Sequence, residues 1–275
     1  LPDDPARCER KIRNNHQTRS EYHMKITFLG TGTSCGVPTI GCQCPTCSSQ
    51  DPHDKRLRCS ALLEEGDTRL LIDCGPDFRQ QIMPLPFSRI DGILITHAHY
   101  DHVGGLDDVR PFCQFGEVNV YADPIARQSL LKMLPYCFEE HRYPNTPVIR
   151  LHEIHPHEVF NINGIDIMPI QVMHHDFPIL GYRIGGLTYI TDMKTIADSE
   201  LEYLKGTEVL VVNALRRTPH HSHQTLAEAV AFAKKIGARQ TWLTHAAHSI
   251  GKHDEVNNIL PPHIRMAYDG LVVNI

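Results

Sequence analysis

The amino-acid sequence predicts a single domain of the α/β class, and three observations support this prediction. The chain has 275 residues, 41% of them hydrophobic, which suits one globular domain with a sizeable core, although length alone would allow two small ones. Short apolar runs recur along the chain and end in polar residues, as strands of a buried sheet do. Segments with the helical spacing of apolar residues lie between several of these runs. We therefore expect strands and helices to alternate within one unit.

The N-terminal residues 1–23 differ in composition from the rest of the chain. They are polar and rich in arginine, and they show little apolar periodicity, so they bury little surface on their own. We expect a polar tail over residues 1–23, followed by one domain over residues 24–275.

Charge, hydropathy and cysteine content restrict the partners and the compartment. The net charge of -5 gives no general attraction to nucleic acid, which argues against a long polyanion as the partner. No apolar run approaches the roughly 20 residues of a membrane-spanning helix, and the N-terminus lacks the apolar core of a signal peptide. The 9 cysteines are odd in number, and three of them have metal-ligand spacing, which fits a reduced cell interior. We expect a cytoplasmic protein with no membrane partner, and the sequence leaves open whether it forms a homodimer.

In the first half of the domain, apolar patterns predict three strands, a helix and a buried run. Residues Lys25–Gly30 alternate as a strand, and the apolar runs Arg58–Leu63 and Thr68–Asp73 form a hairpin around a polar turn. A short helix within Asp77–Arg89, broken by prolines, precedes the apolar run Gly92–Ile95.

Helical and strand patterns continue to alternate beyond that run. We predict a helix over Leu106–Phe115, interrupted near its proline, and a strand over Val118–Tyr121. The segment Asp123–Phe138 has helical spacing and begins with an N-cap residue followed by proline. We interpret the segment 139–157, rich in Pro, His and Arg, as a surface connection, with a wall over a substrate as the alternative.

The second half of the domain repeats this alternation. A strand pair within Phe160–Ile167 leads into a further strand that ends at two histidines. The other predicted elements are strands over Leu187–Asp192, Val209–Asn213 and Gln240–His245, and a helix that ends at Ala238.

A histidine-rich turn, Thr96–Gly105, carries the clearest chemical signal in the chain. Four candidate metal ligands fall within six residues, namely His97, His99, Asp101 and His102. Imidazole nitrogens and carboxylate oxygens hold divalent ions such as zinc, and three protein ligands per ion leave a position for water. The strand pleat would place the first two ligands on one face, while the last two approach from another direction, so one ion cannot easily use all four. The pattern favours two adjacent ions, and the alternative is a solvated loop that is rich in histidine.

A second candidate metal site lies in residues 41–48. This turn contains a proline and three cysteines, Cys42, Cys44 and Cys47. Three thiols in C-x-C-x2-C spacing can surround one tetrahedral ion when a fourth ligand comes from elsewhere. We expect a structural zinc here, and the alternative is a loop with unrelated reduced cysteines.

Polar residues near other strand ends are further candidates. Asp73 can accept a hydrogen bond from a ligating imidazole, or it can only cap its turn. Alternation along the strand that ends at His174 and His175 places His174 on the face of the apolar residues. Arg216 and Arg217 can grip a phosphate, although solvated loop charges are the simpler interpretation.

The pattern H-x-H-x-D-H, after an apolar strand and before Gly104-Gly105, resembles the signature of the metallo-β-lactamase superfamily of metallohydrolases. The resemblance extends over nearly the whole chain from Met24, and it implies a four-layer αββα sandwich with a dinuclear metal site at one edge. The stretch Gly36-Val37-Pro38 and the cysteine turn after it are similar to the phosphodiesterase branch of the superfamily. Within that branch, the chain most resembles the enzymes that act on phosphoribosyl 1,2-cyclic phosphate in the carbon-phosphorus lyase pathway.

The resemblance implies roles for individual residues. One ion would be held by His97, His99 and one strand-end histidine, for which alternation favours His174. The other ion would be held by Asp101, His102 and His245, and both ions by Asp192 as a bridge. The structural zinc would be held by Cys42, Cys44, Cys47 and His248. His223 lies where the resembling enzymes have a histidine that protonates the leaving oxygen, and an ordinary pKa near 6.5 would suit that step.

Some of these assignments stay open. The family spacing counted back from Gly181 favours His175 over His174 as the ligand. The histidine that is not the ligand would face the substrate or support a ligand, as would His221. Asp192 can instead be the N-cap of a helix over Asp192–Tyr203.

The implied function is hydrolysis of a small cyclic or diester phosphate of a ribosyl compound. Two divalent ions, zinc or manganese, would lower the pKa of a water molecule, with Asp101 and His223 closest to the chemistry. One alternative is a tRNA 3′-processing endoribonuclease, which needs a basic, glycine-rich arm that we do not find in the sequence. The others are a thioester hydrolase of the glyoxalase II type and a non-catalytic metal-binding module.

Overall fold

A computed structural model describes residues 24–138 and 146–275 of the chain. The predicted tail, residues 1–23, lies outside the described residues, as does the part of the predicted surface connection over residues 139–145. Among the described helices, none is long and apolar enough to cross a membrane.

Within the described residues, the first half of the domain forms a seven-stranded sheet, in which the last strand of the chain is the edge strand next to β1. Its strands are β1 (Met24–Gly30), β2 (Ser60–Glu65), β3 (Thr68–Ile72), β4 (Gly92–Leu94), β5 (Val118–Ala122), β6 (Ile149–Glu153) and β14 (Val272–Asn274). Their order across the sheet is β14-β1-β2-β3-β4-β5-β6. The predicted hairpin is confirmed, because β2 and β3 pair antiparallel.

The second half forms another seven-stranded sheet within the described residues. Its strands are β7 (Phe160–Ile162), β8 (Ile165–His174), β9 (Phe177–Ile184), β10 (Leu187–Ile190), β11 (Val209–Asn213), β12 (Gln240–Thr244) and β13 (Ile264–Met266). Their order is β13-β12-β11-β10-β9-β8-β7, and the strands from β10 to β13 run parallel. Parallel strands place their carboxyl ends at one edge of the sheet, where sites of α/β proteins commonly form.

Helices cover the outer faces of both sheets. They are α1 (Phe78–Ile82), α2 (Tyr100–Val103), α3 (Pro124–Met133), α4 (Leu226–Ile236) and α5 (His253–Asn257). One apolar core lies between the two sheets, around side chains such as Ile26 and Tyr182, and one further core lies between each sheet and its helices. This succession of layers confirms the four-layer αββα sandwich.

Several helical predictions were wrong in length or type. The short helix predicted within Asp77–Arg89 is confirmed as α1, which ends before the prolines, whereas α3 ends at Met133 before a separate 3-10 turn that begins at Pro135. Residues Leu106–Phe115 form a 3-10 helix, because a proline in a helix interior removes an α-helical hydrogen bond. The helix predicted over Asp192–Tyr203 is replaced by a 3-10 helix at Asp198–Leu204.

Candidate metal centre

The candidate metal centre lies at one edge of the sandwich, just beyond the carboxyl ends of β3, β4, β10 and β12. Asp73, Asp192 and His245 follow three of these strands, and all have left-handed backbones with φ of 60°, 56° and 55°. A non-glycine residue in this region costs about 1–3 kcal/mol, so the surrounding structure must impose it. Because an N-cap residue has an extended backbone, this conformation also excludes Asp192 as the cap of a helix.

One group of ligands, which we call the Asp101 cluster, consists of Asp101, His102, Asp192 and His245. One ligand atom from each residue lies within 4.8 Å of the others, and all four residues are buried. His102 Nε2 is 3.2 Å from Asp101 Oδ2, and His245 Nε2 is 3.1 Å from Asp192 Oδ1. The four side chains therefore converge on one small volume.

A second group, the His97 cluster, consists of His97, His99 and Asp192. His97 Nε2 lies 3.0 Å from His99 Nδ1 and 3.7 Å from Asp192 Oδ2. Asp192 thus belongs to both clusters, with Oδ1 towards His245 and Oδ2 towards His97. A carboxylate in this position can present one oxygen to each of two ions.

The buried nitrogens of these clusters indicate that the residues fit metal ions. His102 Nε2 and both ring nitrogens of His245 are buried, and they have no hydrogen-bond partner among the described residues. Buried polar atoms are nearly always hydrogen-bonded, so unpaired nitrogens beside carboxylates require another partner. Imidazole and carboxylate ligands suit divalent transition ions such as zinc.

The charge states of His97 and Asp192 favour metal binding, whereas that of His102 opposes it. Burial, and then the charge of His102, lower the pKa of His97, so His97 is neutral as a metal ligand must be. Although burial opposes it, His245 and His102 hold the pKa of Asp192 well below its usual range. Burial also opposes the proton on His102, but Asp192 and Asp73 raise its pKa, so an incoming ion must displace that proton.

Asp73 lies behind His102 and outside both clusters. His102 Nδ1 donates to Asp73 Oδ2 at 2.7 Å. The backbone N–H and the hydroxyl of Thr96 both donate to the same carboxylate at 2.8 Å. These bonds fix the proton of His102 on Nδ1 and leave Nε2 facing the Asp101 cluster, which is the placement predicted for a residue that orients a ligand.

Of the two neighbouring histidines, the structure brings His174 and not His175 to the centre. His174 is buried, and its Nδ1 donates to the backbone carbonyl of Asp192 at 2.7 Å. Its ring centroid is 5.2 Å from that of His99. His175 lies in the left-handed turn between β8 and β9, with φ of 56°, and its half-exposed ring contacts Asp176 at 2.9 Å.

His223 lies between the clusters and His174, whereas His221 does not reach them. The ring centroid of His223 is 4.6 Å from that of His174 and 5.0 Å from that of His245. Burial lowers the pKa of His223 to about 3, which corrects the ordinary value supposed from the sequence. The exposed His221 instead contacts the ring of His175, at a centroid distance of 5.7 Å, on the rim of the centre.

The two arginines suggested as phosphate ligands donate hydrogen bonds to backbone carbonyls instead. Arg216 donates to the backbone carbonyls of Thr218 and Pro219, and Arg217 donates to that of Ile250. Neither guanidinium is part of the clusters, so we do not assign them to the substrate.

The cysteine turn meets His248 in a separate group, the cysteine cluster, formed by Cys42, Cys44, Cys47 and His248. His248 Nδ1 lies 3.3 Å from the sulfur of Cys42 and 3.2 Å from that of Cys44. The backbone N–H of Cys47, and then His248, lower the pKa of Cys44 to about 6, which favours the thiolate. Three sulfurs and one nitrogen at this spacing fit a tetrahedral zinc.

Two supporting residues were missed in the sequence. The hydroxyl of Thr191 donates to Asp192 Oδ1 at 2.7 Å. The side chain of Asn213 holds both backbone groups of Met193, accepting from its N–H at 2.8 Å and donating to its carbonyl at 3.0 Å. The only sequence signal was a polar residue at the end of an apolar strand, which marks many positions with no such role.

Fold and ligands together define a protein of the metallo-β-lactamase type, with histidine and aspartate clusters at the edge of an αββα sandwich. A family model described as a β-lactamase superfamily domain matches residues 68–246. The chain therefore belongs to the β-lactamase superfamily.

Individual relatives are similar to this chain over different lengths. An octanoyltransferase from Porphyromonas gingivalis is 45% identical over 250 residues, which are 90% of this chain but only 51% of that relative. A crystal structure described as a new diphosphatase from the PhnP family is 40% identical, with a TM-score of 0.85 over 92% of this chain and 98% of the other. A ribonuclease Z from Thermosynechococcus vestitus is 29% identical over 167 residues, 58% of this chain and 36% of the relative.

Proposed function

We propose that this domain is a metal-dependent phosphodiesterase that hydrolyses small cyclic or diester phosphates of ribosyl compounds. The observation that carries the proposal is the position of Asp192, whose two oxygens face two different sets of ligands with His223 beside them. The PhnP-family structure named a diphosphatase supports phosphate chemistry, because this chain covers 98% of its length. The name octanoyltransferase supports no such inference, because this chain spans 51% of that relative.

The ligands divide into two sets in this proposal. One ion would be held by His97, His99 and His174, the other by Asp101, His102 and His245, with Asp192 between them. Two bound divalent ions, zinc or manganese, would acidify a water molecule and neutralise charge on the phosphoryl oxygens. The cysteine cluster would hold a structural zinc that takes no part in the reaction.

His223 is the proposed proton donor to the leaving oxygen. Its Nδ1 is buried, has no hydrogen-bond partner among the residues that the structure describes, and lies 3.9 Å from Asp192 Oδ2. The ring is therefore available for chemistry at the centre. A substrate phosphate adds negative charge beside the ring, which favours the imidazolium and opposes the effect of burial on its pKa. Proton transfer from such a residue typically contributes about 10²- to 10⁴-fold to the rate.

A substrate panel tests the proposed function. The purified, metal-loaded protein is assayed against a cyclic ribose phosphate, a nitrophenyl phosphodiester, a precursor tRNA and a thioester. We expect turnover of the first two. Efficient cleavage of the precursor tRNA or of the thioester, with no turnover of the small diesters, would contradict the proposal.

A further inference from the structure

A small pocket opens directly beside the His97 cluster. Its volume is about 110 Å³, and it lies between His97 and His99, the first turn of α3 and the start of β9. Pockets that enclose a whole ligand measure about 300–1,000 Å³, so this one can hold only a part of a substrate. Because a closed cavity of about 150 Å³ accommodates benzene, this smaller pocket can take at most one small ring, partly exposed to solvent. We call it the ring pocket.

The ring pocket presents two large apolar side chains to solvent. Phe177 is 47% exposed and Ile125 is 42% exposed, whereas His97, the proposed metal ligand beside them, is buried and His99 is exposed at the mouth of the centre. Phe177 pairs directly with His174 across the β8–β9 hairpin. Side chains directly opposite one another on antiparallel strands share a face and have Cβ atoms about 4.5–5.5 Å apart. The hairpin register therefore fixes Phe177 next to a proposed metal ligand.

The lining of the ring pocket also includes the carboxylate of Asp123. Asp123 Oδ1 accepts the backbone N–H of Ala126 at 2.7 Å and so caps α3. An ionised carboxylate has about four acceptor sites, so this cap leaves acceptor capacity towards the pocket. The lining thus combines an apolar platform with a hydrogen-bond acceptor, which suits a ring with one apolar face and hydroxyl groups.

We infer that the ring pocket binds the pentose ring of the substrate, packed on Phe177 and Ile125 with a hydroxyl donating to Asp123. The inference rests on the proposed phosphodiesterase function and deepens it, because it names the residues that select the ribosyl group. The scissile phosphate then lies at the metal centre, next to His97 and His99, while the sugar fills the pocket.

Three esters of para-nitrophenyl phosphate test the inference, because they share a leaving group and differ only in the second ester group. This group is ribosyl, cyclopentylmethyl or methyl, so it offers a ring with hydroxyls, a ring without them, or no ring. For the metal-loaded wild-type protein, we expect kcat/KM to be highest for the ribosyl ester and lowest for the methyl ester. Phe177→Ala should lower kcat/KM for both ring esters about tenfold relative to the methyl ester.

Asp123→Ser is the second variant, because serine keeps the N-cap of α3 and removes the second carboxylate oxygen. Asp123→Ser should lower kcat/KM for the ribosyl ester and leave kcat/KM for the cyclopentylmethyl ester unchanged. Phe115→Ala is the matched control, since Phe115 is also partly exposed but lies on the 3-10 helix away from the ring pocket. Its substrate preference should equal that of the wild type.

The outcomes separate the inference from the function on which it rests. If the wild type hydrolyses all three esters and Phe177→Ala leaves their ratios unchanged, the ring pocket does not bind the sugar and the phosphodiesterase function stands. An equal loss on all three esters in Phe177→Ala also overturns the inference, because the residue then supports the centre rather than selectivity. If the wild type hydrolyses none of the esters, the proposed function fails and the inference fails with it.

Discussion

The metal centre and the cysteine cluster differ in ligands, burial and surroundings. The metal centre joins nitrogen and oxygen ligands from many strand ends, shares Asp192 between two clusters, and borders an open pocket. The cysteine cluster takes three sulfurs from one turn and a single nitrogen from His248. An ion with four protein ligands in tetrahedral geometry has no coordination position left for a reactant. An ion with fewer protein ligands keeps a position for water. The metal centre can therefore admit a reactant beside an ion, whereas the cysteine cluster can only enclose one.

The two regions are nevertheless linked through the chain. His245 belongs to the Asp101 cluster, and His248, three residues later, belongs to the cysteine cluster. A zinc in the cysteine cluster would therefore fix the segment that directly follows a proposed catalytic ligand. The following predictions separate the two regions, in order of the expected effect on activity.

The largest effect is expected for Asp192→Asn. The amide cannot offer a charged oxygen to each cluster, so active-site metal content and activity should both fall, activity by at least about 10³-fold. Elemental analysis and a phosphodiester assay check this, with Asp198→Asn, an exposed carboxylate on a 3-10 helix, as the control. Full metal content in Asp192→Asn would refute the shared position of this carboxylate.

His223→Ala tests the proton donor. Turnover of a diester with a poor alkoxide leaving group should fall about 10²- to 10⁴-fold, and that of a nitrophenyl diester far less, because nitrophenolate needs little protonation. Metal content should stay unchanged, and His263→Ala, on the exposed surface, is the control. Equal losses on both substrates would indicate a positioning role, and loss of metal would make His223 a ligand.

Asp73→Asn should weaken the metal centre without removing a ligand. The carboxylate that orients His102 is lost, so active-site metal affinity should fall about 10- to 100-fold, with activity restored by added metal. Titration of the metal-free variant with zinc or manganese measures this. An affinity equal to that of the wild type would mean that Asp73 only stabilises its turn.

Cys44→Ser should affect activity least and stability most directly. One zinc should be lost while the two active-site ions remain, and the midpoint of thermal unfolding should fall, because a structural zinc contributes to folding. Cys35→Ser, which replaces an exposed cysteine outside the cluster, is the control. If Cys44→Ser loses no zinc, the cysteine cluster is not a metal site.

Much of the centre could be predicted from the sequence because its ligands are contiguous or end apolar strands. His97, His99, Asp101 and His102 lie within six residues, so their proximity follows from chain connectivity. The choice between His174 and His175 could not be settled in the same way. It depends on the left-handed turn at His175, which the spacing of apolar residues does not encode.

Properties that arise from tertiary packing were also beyond the sequence. The pKa of His223 depends on burial among residues far apart in the chain, so its ordinary value was a poor guide. The prediction of a helix that begins at Asp192 was wrong, because the spacing of apolar residues does not indicate the left-handed backbone of Asp192 at the end of a strand. The four layers were predicted from the resemblance to the metallo-β-lactamase superfamily, since the apolar runs alone predict only that strands and helices alternate.

The central claim is that two ions share Asp192 in the metal centre while a third occupies the cysteine cluster. Crystals grown with zinc and measured at its absorption edge test this most directly, because anomalous scattering locates each ion. We expect three peaks, two of them about 3.5–4 Å apart on either side of the Asp192 carboxylate and one between Cys42, Cys44, Cys47 and His248. A single peak at the metal centre, or a pair that does not contact Asp192, would contradict it.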